Sequence, residues 1–259
     1  MTRPLEDLEA LDALAWQIEL GADEAILEEA INRFDAVEIV PPPRPVQAQP
    51  EVETAAEAAQ PADSAAAEIA ASCGSLTALR AAIEAFDGCA LKKGAKNTVF
   101  CDGNPQARVM IIGEAPGRDE DIEGKPFVGR SGQLLDKMFA AIGLARDAQD
   151  PARAIYITNV MPWRPPQNRD PSTDEMVMMK AFLVRHIALA KPEFIVTMGN
   201  PATRTVLDVT TGITRMRGTW ATFQDVPVLP MFHPAALLRD PLKKREAWAD
   251  LLSLKAKMI

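Results

Sequence analysis

Four short apolar runs recur along the latter part of the chain: residues 108–113 (RVMIIG), 154–160 (AIYITNV), 193–199 (EFIVTMG) and 226–232 (VPVLPMF). Each is bounded by turn residues, which predicts a buried strand. Segments with apolar residues at helical spacing lie before, between and after them, at 76–86, 131–142, 173–189, 201–207 and 242–254. Strands alternating with helices of this length predict parallel βαβ units with helices on both faces. In such sheets ligands sit at the carboxyl ends of the strands. Three strands end there in distinctive segments: GEAPG at 113–117, NVMPWRPP at 159–166 and HPAALLR at 233–239.

The first part of the chain has another pattern. Leu5, Leu8, Leu11, Ile18, Ile26, Leu27 and Ile31 recur at near-helical spacing, broken at Gly21, so residues 1–38 are expected to form a short helical element. Residues 39–74 are rich in Pro, Ala and Glu and hold no aromatic residue. Such a stretch cannot bury enough apolar surface to offset its ordering entropy, and a disordered linker is expected. Residues 75–259 carry the pattern of one compact domain.

Charge divides the chain in the same way. Residues 1–85 hold four Lys and Arg against seventeen Asp and Glu, a balance of −13, while residues 86–259 hold twenty-four against nineteen, a balance of +5. An acidic arm beside a mildly basic body fits either a solvated linker or a protein that meets polyanions. No apolar run among the 259 residues is long enough to span a bilayer. The acidic opening MTRPLEDLEALDAL lacks a signal-peptide apolar region, and three cysteines, an odd number, do not make a disulfide framework. A cytoplasmic monomer, with no membrane contact, is the expectation.

Chemistry-bearing residues gather at the three strand ends. In GEAPGRDEDIEGKPFVGRSGQLLD (113–136), Gly113, Pro116 and Gly117 make a tight exit that lets backbone approach a ligand. Glu114, Asp119, Glu120 and Asp121 form a carboxylate cluster able to orient water or bind a cation. No G-x-x-x-x-G-K-[ST] is present, so a phosphate-cradling loop is not supported. Asn159 offers a donor and an acceptor for an amide-like edge, and Arg164 and Arg169 stand in a Pro-stiffened loop suited to phosphates. Of the two histidines, His186 falls inside an apolar helix, whereas His233 follows a strand and precedes Pro, the better catalytic position. After it come Leu237, Leu238, Arg239, Lys243, Lys244 and Arg245, an apolar wedge with flanking cations of the sort that unstacks a base while holding phosphates.

Taken together and in this order, the three segments resemble the uracil-DNA glycosylase superfamily, in particular its type-4, iron–sulfur group, over the chain from about Leu76 onward. The resemblance implies a three-layer α/β/α sandwich with a four-stranded parallel sheet. It implies a monofunctional enzyme that flips uracil out of DNA and hydrolyses its N-glycosidic bond, initiating base-excision repair. By that resemblance Phe127 stacks on the flipped uracil, Asn159 reads its edge, Asn168 shapes the pocket, and His233 donates to uracil O2. Glu114 and Glu120 flank the pocket, one of them positioning or activating water. Leu237 fills the vacated stack, with Arg239, Lys243 and Arg164 on the DNA. Residue 115 is Ala where the best-known branch of the superfamily has a water-activating Asp, an absence the type-4 group shares. The acidic arm is then a candidate site for a protein partner such as a polymerase clamp or another repair protein.

The chain departs from the group in its cysteines. Four thiolates hold a four-iron, four-sulfur cluster in type-4 enzymes. Here Phe86, Trp163 and Met179 stand at three of those positions and only Cys89 remains; Cys73 and Cys101 do not restore the spacing. The expectation is no cluster and no metal, with apolar side chains filling its volume. The segment TRMRGTW (214–220) lacks the histidine of relatives that trap DNA covalently, so ordinary hydrolysis is expected. A DNA-binding relative with little or no glycosylase activity and an enzyme of free nucleosides are the competing readings.

Overall fold

In the computed structural model, residues 61–259 are described. The polypeptide opens with helices α1 (Pro61–Ser72) and α2 (Leu76–Ala85), the second capped by the Ser75 side chain. A two-residue strand β1 (Asp102–Gly103) precedes β2 (Val109–Gly113), and helices α3 (Arg118–Glu123) and α4 (Arg130–Ala140) follow. Then come β3 (Ile155–Asn159), α5 (Thr173–Ala190), β4 (Phe194–Met198), α6 (Gly199–Leu207) and α7 (Ile213–Met216). Strands β5 (Ala221–Phe223) and β6 (Val226–Met231) lead to α8 (Pro234–Arg239) and α9 (Lys244–Met258).

The sheet order is β1-β3-β2-β4-β6-β5. Its centre is the parallel set β3-β2-β4-β6, in which Ile111 faces Ile157 and Val196 across the ladders. The expected four strands are therefore six, because β1 and β5 pair antiparallel on the two edges. Both are two or three residues long with partly exposed side chains, so they leave no apolar run in the sequence.

Every residue of β2, β3 and β4 is buried. The strands are covered on both faces, as parallel strands with crossover helices must be. Met110, Ile112, Tyr156, Ile195 and Val228 face one core with residues of α1, α2 and α5. Val109, Ile111, Ile155, Ile157, Val196 and Leu229 alternate with them and face the other, where Leu135 and Phe139 of α4 and Leu251 and Leu254 of α9 close the layer. This is the three-layer sandwich expected.

Two segments outside the expected helices are helical. Helix α1 falls within the stretch expected to be a disordered linker, and its Ala66 and Ala70 are buried. It packs against α5, and Arg185 of α5 donates twice to the Cys73 carbonyl, at 2.8 and 2.6 Å. Small alanines suit a close approach of two helices, a packing that composition alone does not reveal. Helix α3 carries Asp119, Glu120 and Asp121 of the expected carboxylate cluster. Its start is closed by Glu120, which reaches back to the Gly117 N–H at 3.1 Å. The expected element at 1–38 and the acidic arm lie outside the described residues.

Candidate active site

The exits of β2, β3 and β6 open into one cleft of about 700 Å³, lined by Glu114, Glu120, Phe127, Asn159, Asn168, His233 and Arg239 among others. Parallel strands end on the same edge, so residues more than a hundred positions apart arrive together. Gly113, last of β2, makes the meeting sterically possible. A Cβ there would overlap Asn159 Oδ1 and lie 2.6 Å from the Phe127 ring. The Phe127 ring in turn lies 5.3 Å from the His233 ring, inclined by 29°. A flat apolar face, an amide and an imidazole thus share one small volume.

The state of His233 follows from its hydrogen bond. Its Nδ1 accepts from the Ala235 N–H at 3.1 Å, at the first turn of α8. The neutral ring then carries its proton on Nε2, the nitrogen free to donate into the cleft. Burial, and secondarily the charge of Arg239, depress its pKa to about 4. At neutral pH the residue is an uncharged donor. Gly199, with φ of 87°, permits this placement, since a Cβ would stand 3.2 Å from that of His233.

The two glutamates differ. Glu114 is pushed up to about 7, by burial first and by the nearby Asp170 second. Glu120 is occupied: its carboxylate accepts from the backbone N–H groups of Gly117, Val128 and Gly129 at 3.0–3.1 Å. It ties the GEAPG turn to the loop that carries Phe127. Of the two, Glu114 has the poised carboxyl and Glu120 the organising one.

On the loop after β3, Asn168 is exposed and its Oδ1 accepts from Arg164 Nε at 2.8 Å. Arg164 does not line the cleft; Arg169, Arg204 and Arg239 do. Lys243 is ion-paired with Asp240 at 3.0 Å and sits over the Phe232 ring, outside the lining. Leu237, expected as the wedge, is only 1 % exposed and packs with Ile213, Phe232 and Ala247. The reason is local: Pro234 starts α8, and Leu237, whose N–H meets the His233 carbonyl, turns inward with the first turn. The exposed leucines of this segment are Leu238 and Leu242.

The model of the uracil DNA glycosylase superfamily matches residues 100–252. The chain belongs to that superfamily. It is 39% identical to a type-4 uracil-DNA glycosylase of Archaeoglobus fulgidus over 172 residues, covering 62% of this chain and 82% of the relative. It is 38% identical to that of Saccharolobus solfataricus over 176 residues, 64% and 79% of the two chains. A type-5 uracil-DNA glycosylase of Pyrobaculum aerophilum is 30% identical over 146 residues, 52% and 64% of the two chains.

The cysteine positions of this glycosylase fold do not fit a four-thiolate cluster. Cys89 is buried in one apolar cluster with Phe86, Trp163 and Met179. Burial raises its pKa. Cys73 donates to the Ile69 carbonyl, and Cys101 lies beside the Tyr156 hydroxyl. Among the described residues no group of three or more His, Cys, Asp or Glu is placed to hold a metal ion. Protein contacts hold the loop after β3. Trp163 Nε1 donates to Thr98 Oγ1 at 3.1 Å, and the Val99 N–H to the Pro162 carbonyl at 2.8 Å. At the loop's far end Ser172 and Glu175 form a capping box, with Arg169 on Glu175.

Sequence reasoning had not singled out Gly199, Asn200, Arg204 or Asp170 among the lining. Gly199 carried a signal, a glycine between an apolar run and a helix. The rest carried none, because only the fold brings them to the cleft.

Proposed function

We propose that this chain excises uracil from DNA as a monofunctional hydrolase acting on a flipped-out nucleotide. It is read as a uracil-DNA glycosylase that leaves an abasic site and initiates base-excision repair. The observation that carries the reading is the cleft itself: Phe127, Asn159 and a neutral His233 with Nε2–H free converge beside Glu114, whose carboxyl is raised to about 7. Cleavage of the C1′–N1 bond leaves the electron pair on uracil and positive charge on the sugar. The uracil ring lies on Phe127, and the Asn159 amide pairs with its edge. His233 Nε2–H donates to O2 as negative charge develops there, a neutral donor needing no reorganisation. Ionised Glu114 faces the sugar and takes a proton from the water whose oxygen bonds to C1′; the departing uracil anion takes up a proton from solvent. Glu120 has the supporting role, holding the Phe127 loop. On the DNA side Arg239 and Arg169 meet phosphates, and Leu238 and Leu242 replace Leu237 as the apolar surface beside the vacated stack.

The same reading has no iron–sulfur cluster. Phe86, Trp163 and Met179 fill its volume, consistent with the hollow of only about 10 Å³ beside Met179 and Phe182. Purified protein carrying stoichiometric iron and the visible absorption of a cluster contradicts this part alone.

The test is single- and double-stranded oligonucleotide containing one uracil, treated with protein and then alkali. Strand scission by wild type, strongly slowed in His233→Ala, supports the reading. Asn159→Asp is expected to lose uracil excision, its carboxylate repelling the uracil edge. DNA binding without scission favours a binding protein, and release from free deyoxyuridine alone favours a nucleoside enzyme.

A further inference from the structure

Phe127 supplies the flat face of the cleft from a backbone in the left-handed region, with φ of 53°. A residue with a Cβ is disfavoured there and persists only where its surroundings over-determine it. Two features do so. Gly132, in the first turn of α4, leaves empty the space in which a Cβ would overlap the Phe127 carbonyl. Against the same peptide stands Arg146. Its Nη2 donates to the Phe127 carbonyl at 2.8 Å, and its Nη1 to the Pro126 carbonyl at 3.2 Å.

The guanidinium is itself fixed. Nε donates to Asp136 of α4 at 2.8 Å, and Nη1 to Asp102 of β1 at 2.9 Å. The Arg146 side chain is only 17% exposed. The edge strand β1, too short to leave a sequence signal, therefore has a consequence at the cleft: it anchors the fork that grips two successive carbonyls. Only arginine presents donors in a rigid plane suited to that task; a lysine head is a single point.

We propose that Arg146 is a positioning residue for base stacking, holding the Phe127 peptide so that the ring faces the bound uracil. This rests on the uracil reading above. Arg146 does not line the cleft; it meets the stacking face through the Pro126 and Phe127 carbonyls.

The test is inhibition of the excision reaction by free uracil, with substrate kinetics and thermal melts in parallel. Arg146→Met keeps the aliphatic stem and removes the donors. It is expected to weaken uracil inhibition about tenfold, the scale of one lost base–aromatic stack. KM rises by a similar factor and kcat falls less. In a Phe127→Ala background the same substitution adds nothing, because the ring it positions is gone. Arg146→Lys, which keeps the charge facing Asp102 and Asp136, does not restore inhibition, and it serves for the same cycle if Arg146→Met fails to fold. Equal weakening in both backgrounds overturns the proposal. So does a variant that melts lower yet is inhibited like wild type. If wild type neither excises uracil nor is inhibited by it, the uracil reading itself fails; if wild type does both and the cycle is additive, only the role of Arg146 fails.

Discussion

At the scale of single residues, the cleft sets neutral and ionised groups against one another. Glu114 is raised to about 7 by burial, so it is protonated below that pH and ionised above it. As the base that takes a proton from water, it makes kcat/KM for excision rise as pH increases through about 7, and Glu114→Gln lowers kcat by about 10²–10⁴. The same shift has an opposite consequence for stability. Between the usual 4.5 and about 7 the unfolded chain gives up a proton that the folded one retains, so stability falls as pH rises through that window. Glu114→Gln therefore raises the melting temperature at pH values above 7 and changes it little near the bottom of the window. Paired melts check this directly. Gly113 is a second point of tension: a Cβ there meets both Asn159 and Phe127. Gly113→Ala is expected to abolish excision while the far-ultraviolet circular dichroism stays that of the wild type. Neither the raised carboxyl nor the packing demand at Gly113 is legible in the sequence, because both arise from neighbours that only the fold supplies.

Among the elements, the long α5 and the loop before it carry Trp163 and Met179, two of the apolar side chains proposed to fill a cluster's volume. Trp163 is 1% exposed and Met179 likewise, so Trp163→Ala opens a cavity in a packed region. A loss of about 3–5 kcal/mol is expected in denaturant unfolding, with excision falling as the Asn159 loop loosens. Helix α5 also buries His186, whose Nε2 meets the Tyr156 hydroxyl at 2.8 Å and whose ring stacks on Phe100 at 4.4 Å. Burial lowers its pKa to about 3. The unfolded chain takes up this proton from the usual 6.5 downward and the folded one does not. Stability from this residue is complete above about 6.5 and is lost as pH falls toward 3. His186→Phe, melted across that range, flattens the acid limb. The sequence marked His186 as structural, and it marked the four central strands and α5 to within a residue or two, because long apolar runs and periodicity report burial. It missed β1, β5, α1 and α3, whose short lengths and small or charged residues carry no such period. It also placed Leu237 on the surface, since position along a motif does not say which side of a first helical turn faces inward.

Across the whole molecule, the parallel topology explains why three segments separated along the chain act as one site. Their strand ends converge, and the order of motifs in the sequence already implied this. The described domain bears the basic share of the charge, with Arg169, Arg204 and Arg239 at the cleft. KM for duplex substrate is expected to rise with salt, and Arg239→Ala to lower the slope of log KM on log salt by about one, as loss of one phosphate contact does. The central claim is tested most directly by the single-uracil oligonucleotide. Wild type is predicted to yield alkali-labile strands and free uracil, with His233→Ala slower by about 10²–10³, the scale of one lost donor to a developing anion. Intact strands after incubation with folded wild type, or equal rates for wild type and His233→Ala, would contradict the account.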